Sequence, residues 1–257
     1  MIDIHTHLLH GCDDGSPDIE TSLSHLKKMI AAGVSIIVVS PHFIRNTYHN
    51  TSEGIEKKFK ELKSAIKKEK IPVTLFKAAE VYLDMNSKDI IKSENFTIND
   101  TDYVIVETNL TGFPTNLYEI LYELVTNGYK PILAHPERYT NIIRNPELSE
   151  DIIHRNVYFQ LNAGSLLGQY GKSIQKTAWF LLEKGFVHFL ASDTHCKSYE
   201  YTLPIAVEEI KKNVDKYTAE LLTEINPTKM LNNEKIEFFY LDSEVIEKKN
   251  FFSRIFK

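Results

Sequence analysis

The sequence has only two cysteines among its 257 residues, Cys12 and Cys196. Two thiols cannot build a disulfide framework, and so few cysteines are typical of proteins in a reducing compartment. No apolar run approaches the ~20 residues that a bilayer-spanning helix needs. The first residues, MIDIHTH, lack the charged and apolar regions of a signal peptide. We therefore expect a cytoplasmic protein without an integral membrane segment.

The sequence also lacks an excess of basic charge. It contains 30 Lys and Arg against 35 Asp and Glu, which gives a formal net charge of −5. Proteins that bind nucleic acid generally present a basic surface, so a nucleic-acid partner is not expected and a nuclease is disfavoured. The oligomeric state is not specified by any feature of the sequence.

No linker rich in Pro, Gly or Ser divides the chain, and 42% hydrophobic residues suffice for a substantial core. Short apolar runs alternate with amphipathic segments to about residue 240. We therefore predict one domain over residues 1–240 and a C-terminal tail over residues 241–257. The tail ends in KKNFFSRIFK, which mixes basic and aromatic residues. It is either a disordered terminus or a short segment that docks on a membrane surface or a partner.

The apolar runs predict seven short strands, several of them rich in β-branched residues as buried parallel strands are. These strands are Ile2–His5, Val34–Val39, Val73–Ala79, Tyr103–Glu107, Ile132–Ala134, Val157–Leu161 and Val187–Ala191. A first helix is predicted with Ser16 as its N-cap and Pro17 at its first position, ending at Gly33. Further helices are predicted over Glu53–Glu69, Asn116–Asn127, Ser173–Lys184 and Pro204–Asn213. Seven strand-then-helix units favour an α/β fold, either a closed β/α barrel or a doubly wound sheet.

Histidines and carboxylates follow six of the seven predicted strands. The carboxyl ends of parallel strands share one rim of a barrel, the face where such enzymes place their catalytic groups. In a His-x-His pair at a strand end, both rings project from the same face. The residues gathered at this rim are His5, His7, Asp14, His42, Glu80, Glu107, His135, Asp193 and His195.

Imidazole and carboxylate together suit Zn²⁺, Mn²⁺ or Fe²⁺, and a carboxylate can bridge two cations. Glu80 and Glu107 are the natural bridging candidates because they lie on neighbouring strands. Any one of these residues alone is more often structural than a ligand. Their repetition at strand after strand predicts a metal site.

The same residues resemble the PHP (polymerase and histidinol phosphatase) family of metallophosphoesterases. The match consists of His5-Thr6-His7, His42, Glu80, His135 and Asp193-Thr194-His195, in that family's order. Within it, the chain looks most like the bacterial tyrosine-protein phosphatases of capsule and exopolysaccharide operons. The fragments that carry this closer likeness are MIDIHTHLLHGCDDGS, VSPHFIRN, AAEVYLD, ILAHPERY, QLNAGSLLGQYGK and LASDTH.

The resemblance implies a distorted seven-stranded β/α barrel with a cluster of two or three divalent cations, usually manganese. Zinc and iron remain open, because ligand types alone do not choose between these metals. The resemblance assigns one ion to His5, His7, Glu80 and Asp193, a second to Glu80, Glu107 and His135, and a third to Asp14, His42 and His195.

The resemblance also implies that Arg138 contacts the phosphoryl oxygens and that Arg45 is a second such residue. Where these phosphatases usually carry a further arginine, after the last Asp-x-His, the sequence has Cys196-Lys197-Ser198-Tyr199-Glu200. Lys197 offers a point charge there but not a bidentate fork. This departure affects substrate specificity and rate more than the reaction class.

The implied reaction is hydrolysis of phosphotyrosine on a protein by a metal-activated hydroxide, with His42, Arg45 and Arg138 at the reacting group. The substrate expected from the resemblance is a bacterial, membrane-associated tyrosine kinase that controls capsule or exopolysaccharide synthesis. A phosphatase of a small ester such as histidinol phosphate remains an alternative. So does a non-catalytic partner of a membrane kinase, in which the metals are only structural.

The sequence also contains His195-Cys196, the start of the motif His-Cys-x5-Arg of cysteine-dependent tyrosine phosphatases. Thr202 stands where that motif needs its arginine, and the loop lacks the glycines that cradle a phosphate. We therefore predict that Cys196 takes no part in the chemistry.

Overall fold

The computed structural model describes residues 1–197 and 200–238, so the predicted tail at 241–257 lies outside the described residues. The predicted α/β class is confirmed, because two sheets of parallel strands alternate with helices. The first sheet contains β1 (Ile2–Thr6), β2 (Ile36–Val39) and β4 (Thr74–Lys77), in the order β1-β2-β4. The second contains β3 (His42–Phe43), β5 (Glu80–Tyr82), β6 (Tyr103–Glu107), β7 (Lys130–Ala134), β8 (Tyr158–Asn162) and β9 (Phe189–Ala191), also in chain order.

All five predicted helices are present, each with bounds close to those predicted. Six shorter α-helices among the described residues were not predicted. The α-helices of the described residues are α1 (Ile19–Ala31), α2 (Ser52–Lys68), α3 (Ser87–Glu94), α4 (Leu117–Thr126), α5 (Thr140–Arg144), α6 (Leu148–Ile153), α7 (Ala163–Leu166), α8 (Lys172–Glu183), α9 (Leu203–Asn213), α10 (Lys216–Glu220) and α11 (Asn226–Leu231). Within the described ranges, no helix combines the length and apolar character needed to span a membrane.

The start of α1 differs from the prediction. Its N-cap is Asp18 rather than Ser16, because the Asp18 carboxylate accepts the backbone N–H of Thr21 at 2.7 Å. Ser16 is buried in the preceding loop, where its hydroxyl donates to the carbonyl oxygen of Asp18 at 2.9 Å. The prediction was wrong by one half-turn, since both residue types cap helices well and only the folded loop selects between them.

The prediction of one strand over Val73–Ala79 is wrong at its carboxyl end. The strand β4 ends at Lys77, and the short strand β5 begins at Glu80. The partner strand is interrupted at the same level, where Pro41 has no N–H to donate to a ladder. Two backbone hydrogen bonds cross the gap, from Ala78 N to Val39 O at 2.9 Å and from Glu80 N to Pro41 O at 3.0 Å. The pairing resumes with His42 opposite Glu80, which places both side chains at one level.

Hydrogen bonds also connect β1 with the residues that follow β9. The N–H of Asp193 donates to His5 O at 3.0 Å, and that of His7 donates to Thr194 O at 3.0 Å. The buried Asp3 carboxylate accepts the N–H of Ser192 at 3.0 Å and the hydroxyl of Tyr201 at 2.7 Å. The first and last strands of the two sheets are thus side by side.

Alternate residues of the strands belong to two separate apolar clusters. In β6, Val104 and Val106 pack in the larger cluster with the helices, whereas Tyr103 and Ile105 pack in a smaller one. The segment after α11 packs against the amino ends of the strands: Tyr103 OH donates to the Glu234 carbonyl at 2.6 Å, and the Phe238 ring stacks on Tyr158 at 4.6 Å between centroids. Polar side chains lie at the opposite, carboxyl ends of the strands.

Candidate metal centre and phosphate cleft

The predicted ligands come together at the carboxyl ends of the strands. The two rings of β1 are the first group: His5 Nε2 and His7 Nε2 lie 3.2 Å apart. Asp193 Oδ1, after β9, is 3.6 Å from the first nitrogen and 3.2 Å from the second. Glu80 Oε2 lies 3.1 Å and 3.4 Å from the same two atoms. All four side chains are almost completely buried.

Glu80 also extends into a second group. Its other oxygen, Oε1, is 3.1 Å from His135 Nε2, after β7. His42 Nδ1 lies 2.9 Å from Glu80 Oε2 and 2.9 Å from Glu107 Oε1 at the end of β6. Glu80 is therefore the residue that the two groups share.

The third group is looser and nearer the solvent. Asp14 Oδ1 is 3.4 Å from His195 Nε2 and 3.7 Å from His42 Nε2. The rings of His7 and His195 stack at 3.9 Å between centroids, so the third group adjoins the first. His42 faces two groups at once, with Nδ1 towards the glutamates and Nε2 towards Asp14, whereas the prediction placed it in the third group alone.

The donor set fits divalent cations. Several of its atoms are buried without a hydrogen bond of normal geometry to any described residue, an arrangement that is rare and unfavourable in the absence of a ligand. His7, His42 and His195 present ligand atoms within 4.8 Å of one another, as do the trio His5, His7 and Asp193 and the trio His42, Glu80 and Glu107. The unsatisfied atoms include Asp14 Oδ1, His42 Nδ1, Glu80 Oε2, Glu107 Oε1 and Asp193 Oδ1.

The two glutamates of the cluster have pKa values that are shifted in opposite directions. Burial alone would raise the pKa of Glu80, but the rings of His5 and His42 outweigh it and hold this pKa well below its usual range. The pKa of Glu107 is raised, first by burial and then by the nearby charge of Glu80. Two carboxylates this close favour a shared cation, which would keep both ionised.

Three residues that were not predicted contact the candidate ligands. The Asp13 carboxylate lies 2.7 Å from His7 Nδ1 and accepts the backbone N–H of His42 at 2.9 Å. Gln160 Oε1 lies 2.7 Å from His5 Nδ1, and Asn162 donates to Asp193 Oδ2 at 2.6 Å. Such partners fix the ring orientation of a metal-binding histidine and are nearly as important as the ligands.

Arg138 lies beside the cluster, in a short helical turn over Pro136–Arg138. Its Nη1 is 3.3 Å from Asp193 Oδ2, and its guanidinium carbon lies 4.8 Å from the centre of the Tyr170 ring. Arg45 is placed differently: its Nε donates to Asp84 at 3.1 Å, and its side chain is 45% exposed. Lys197 Nζ lies 2.8 Å from Asp14 Oδ2, at the edge of the third group.

An open cleft with a volume of about 550 Å³ lies over the cluster. Arg138, His42 and Glu107 line it together with the apolar side chains of Ile44 and Leu110. The Tyr48 ring, also in its wall, stacks on His42 at 5.7 Å between centroids. The cleft thus combines a cationic group, metal-type ligands and an apolar wall.

Neither cysteine is a candidate nucleophile. Burial raises the pKa of Cys12 to about 12, and burial likewise raises that of Cys196 to about 12. A thiol nucleophile needs the opposite shift, since the thiolate is the reactive form.

The chain matches a known family over nearly all of its described length. The family model for capsular polysaccharide synthesis, CpsB/CapC, covers residues 1–232. The tyrosine-protein phosphatase YwqE of Bacillus subtilis (strain 168) is 30% identical over 238 residues, which cover 92% of this chain and 93% of YwqE. A putative tyrosine-protein phosphatase CapC of Staphylococcus aureus is 34% identical over 196 residues, which cover 76% of this chain and 77% of CapC.

Solved structures give the same picture. One from work on YwqE of Bacillus subtilis and CpsB of Streptococcus pneumoniae, described as unique metal-dependent tyrosine phosphatases, has a TM-score of 0.87 and 28% identity, and covers 92% of this chain and 96% of that chain. Histidinol phosphate phosphatase of Lactococcus lactis shares the fold, with a TM-score of 0.57, 14% identity and coverage of 82% and 92%. The chain belongs to the CpsB/CapC family of capsular polysaccharide synthesis proteins.

Proposed function

We propose that the chain is a metal-dependent protein-tyrosine phosphatase that hydrolyses phosphotyrosine on a protein substrate. The observation that carries the proposal is the cluster of histidines and carboxylates beneath the cleft, with Arg138 beside it. Its relatives in the family are tyrosine phosphatases by name, and the similar YwqE/CpsB structure is described as metal-dependent. A purely structural metal site would need no open cleft and no arginine facing it.

The residues that would hold the cations are those of the three groups, with Glu80 shared between two of them. Divalent cations at such positions neutralise charge on a phosphoryl group and lower the pKa of water. Manganese stays a prediction from the family resemblance, and so does the number of ions. Asp13, Gln160 and Asn162 would keep the ligand side chains in place when substrate enters.

Residues of the chain itself would bind and orient the phosphoryl group. Arg138 would donate to its equatorial oxygens, since a guanidinium suits the planar, bidentate recognition of phosphate. The aromatic ring of the substrate would lie against the apolar wall that contains Ile44, Tyr48 and Leu110. This wall distinguishes the cleft from a site built only for a small, polar ester.

We also propose that the two sheets form one distorted seven-stranded barrel. If β2 with β3 and β4 with β5 are each a single interrupted strand, seven strands remain. The backbone bonds across the interruptions join the two sheets, and those between β1 and the residues after β9 bring the first and last strands together. In such a barrel all the ligand groups lie on one rim.

The proposed function predicts a substrate preference. With Mn²⁺ added, the protein should hydrolyse a phosphotyrosine peptide with a higher kcat/KM than histidinol phosphate. The phenyl ring of phosphotyrosine is apolar and suits the apolar wall, whereas histidinol phosphate carries a polar imidazole and an ammonium group. Strong chelation should abolish turnover, and Mn²⁺ should restore it. A preference for histidinol phosphate would point to a metabolic phosphatase, and no turnover on either would point to a binding protein.

A second prediction separates metal chemistry from thiol chemistry. Cys196→Ser should keep most of the activity, because the raised pKa of Cys196 leaves it protonated at neutral pH. Cys12→Ser serves as the matched control, since its thiol is equally buried and has a similarly raised pKa. The measurement is turnover of p-nitrophenyl phosphate with and without chelator. An inactive Cys196→Ser protein with its full metal content would overturn the mechanism.

The kinase substrate, the cytoplasmic location and the docking role of residues 241–257 stay predictions. The tail can be tested by deleting residues 247–257 and measuring binding to anionic vesicles.

A further inference from the structure

Arg138 has an unusual set of partners for a half-buried arginine. A guanidinium has five N–H donors, yet among the described residues its side chain makes a single hydrogen bond, the one to Asp193 Oδ2 at 3.3 Å. Its remaining contact of note is the Tyr170 ring, 4.8 Å from the guanidinium carbon. The side chain is thus held between a carboxylate and an aromatic ring, with donors left over towards the cleft.

The conformation of the loop that carries Tyr170 places its ring against Arg138. It runs over residues 167–171, between α7 and α8, and contains Gly168 and Gly171 with φ of 80° and 99°, values that other residues rarely adopt. The loop also folds back onto α7: a Cβ at Gly164 would lie 2.5 Å from Gln169 Oε1 and 3.3 Å from Tyr170 Cε2. Small residues at these positions therefore let Tyr170 approach Arg138.

The ring is not placed there as part of the core. Tyr170 is 40% exposed, one of the few large apolar side chains at the surface. It lines a cavity of about 360 Å³ that adjoins the main cleft, with Asp14, Arg138, Asp193 and His195 common to both. Tyr170 therefore contacts the arginine at the point where the smaller cavity meets the main cleft.

We propose that Tyr170 is a positioning residue that fixes the Arg138 guanidinium for the phosphoryl group. This inference rests on the proposed function of the cleft. A free arginine side chain samples many rotamers, and a planar ring against one guanidinium face restricts them while leaving the in-plane N–H donors available. Asp193 alone cannot do this, since a single hydrogen bond permits rotation about its axis. The ring, and not the hydroxyl, is the part that acts.

The proposal predicts a selective loss of phosphate affinity. Tyr170→Ala should raise KM for p-nitrophenyl phosphate and Ki for inorganic phosphate by about 2- to 30-fold, the range expected for a cation–π contact. The value of kcat should change less, and metal content and Tm should not change. Tyr170→Phe should restore the wild-type values, because it keeps the ring.

A matched control is available elsewhere in the chain. Arg155 lies over the Tyr118 ring at 4.5 Å, a stack of the same kind, and neither residue lines the two cavities. Tyr118→Ala should leave KM and Ki unchanged. If it reproduced the effect of Tyr170→Ala, the effect would be general destabilisation and the proposal would fail.

A double-mutant cycle gives the decisive test. In an Arg138→Ala background, Tyr170→Ala should have no further effect on Ki for phosphate, because the ring acts only through the arginine. Additive effects of the two substitutions would overturn the proposal, as would a failure of Tyr170→Phe to rescue. The proposed function itself would be refuted by a wild-type protein that, with metals present, neither hydrolyses p-nitrophenyl phosphate nor binds phosphate. Failure of the Tyr170 proposal alone would instead leave the wild-type activity intact.

Discussion

Glu80→Gln should lower turnover to about a thousandth of the wild-type rate or less, because the change removes the carboxylate shared by the two groups of candidate ligands. Each Glu80 oxygen faces a different set of histidines: Oε1 lies 3.1 Å from His135, while Oε2 lies within 3.4 Å of His5 and His7. Glutamine keeps the shape but replaces one oxygen with an NH₂ group that cannot bind a cation. Metal content per chain should fall by at least one ion, measured by elemental analysis alongside kcat.

Glu107→Gln provides the graded comparison, because Glu107 lies at the edge of the second group, with Oε1 2.9 Å from His42 Nδ1, and is not shared with the first group. Its effect on both turnover and metal content should be smaller than that of Glu80→Gln. Glu123→Gln, which removes a surface partner of Lys88, should change neither. Near-normal turnover of Glu80→Gln with full metal content would show that the two groups do not share a bridging carboxylate.

Arg138→Ala should lower kcat/KM for a phosphotyrosine peptide by about 10²- to 10³-fold, the usual effect of removing a donor that stabilises charge in the transition state. Metal content should remain, because Asp193 keeps the hydrogen bond from Asn162 at 2.6 Å when the arginine is gone. Arg138→Lys should recover only part of the loss, since an ammonium group cannot bind two oxygens in one plane.

The matched control for this prediction is Arg155→Ala. Arg155 also lies against an aromatic ring, that of Tyr118, but does not line the cleft. Its substitution should leave kcat/KM unchanged. Loss of metal from Arg138→Ala would contradict the assigned role, because it would make Arg138 a structural partner of Asp193 rather than a phosphate ligand.

The grouping of the candidate ligands could be predicted because the carboxyl ends of the strands are visible in the sequence. Short apolar runs end abruptly at His5, His42, Glu80 and Asp193, and parallel strands bring their carboxyl ends together. The strand Tyr103–Glu107 was predicted with its observed bounds, since a fully buried strand is a continuous apolar run.

The residues that orient the ligands were harder to find. Gln160 and Asn162 lie two apart on β8, the one predicted strand without a metal-type ligand at its end. Their spacing was a usable signal, since residues i and i+2 share a face of a strand. Neutral amides, however, are not among the imidazole and carboxylate groups on which the predicted metal site was based. Asp13 lies beside Asp14 in the loop after the first strand, and only the folded loop shows which of these two adjacent aspartates turns towards His7.

Other features depend on long-range packing that no local pattern records. The interruption between β4 and β5 follows from the pairing of two strands on either side of Pro41. The short helices α5, α6 and α7 span four to six residues each, too few for a periodic pattern to emerge. The role of Tyr170 likewise depends on a loop conformation that the sequence only hints at through two glycines.

The packing of Phe238 on Tyr158 has a practical consequence for handling the protein. Tyr158 is the first residue of β8, so the described chain ends against the amino ends of the strands, opposite the carboxyl ends that carry the candidate ligands. A dye, an affinity tag or a surface linker joined directly after residue 238 would therefore be attached at the opposite ends of the strands from the cleft. Immobilisation through that point would orient every molecule with its cleft facing the solution, which suits single-molecule and surface-capture assays with large phosphorylated proteins.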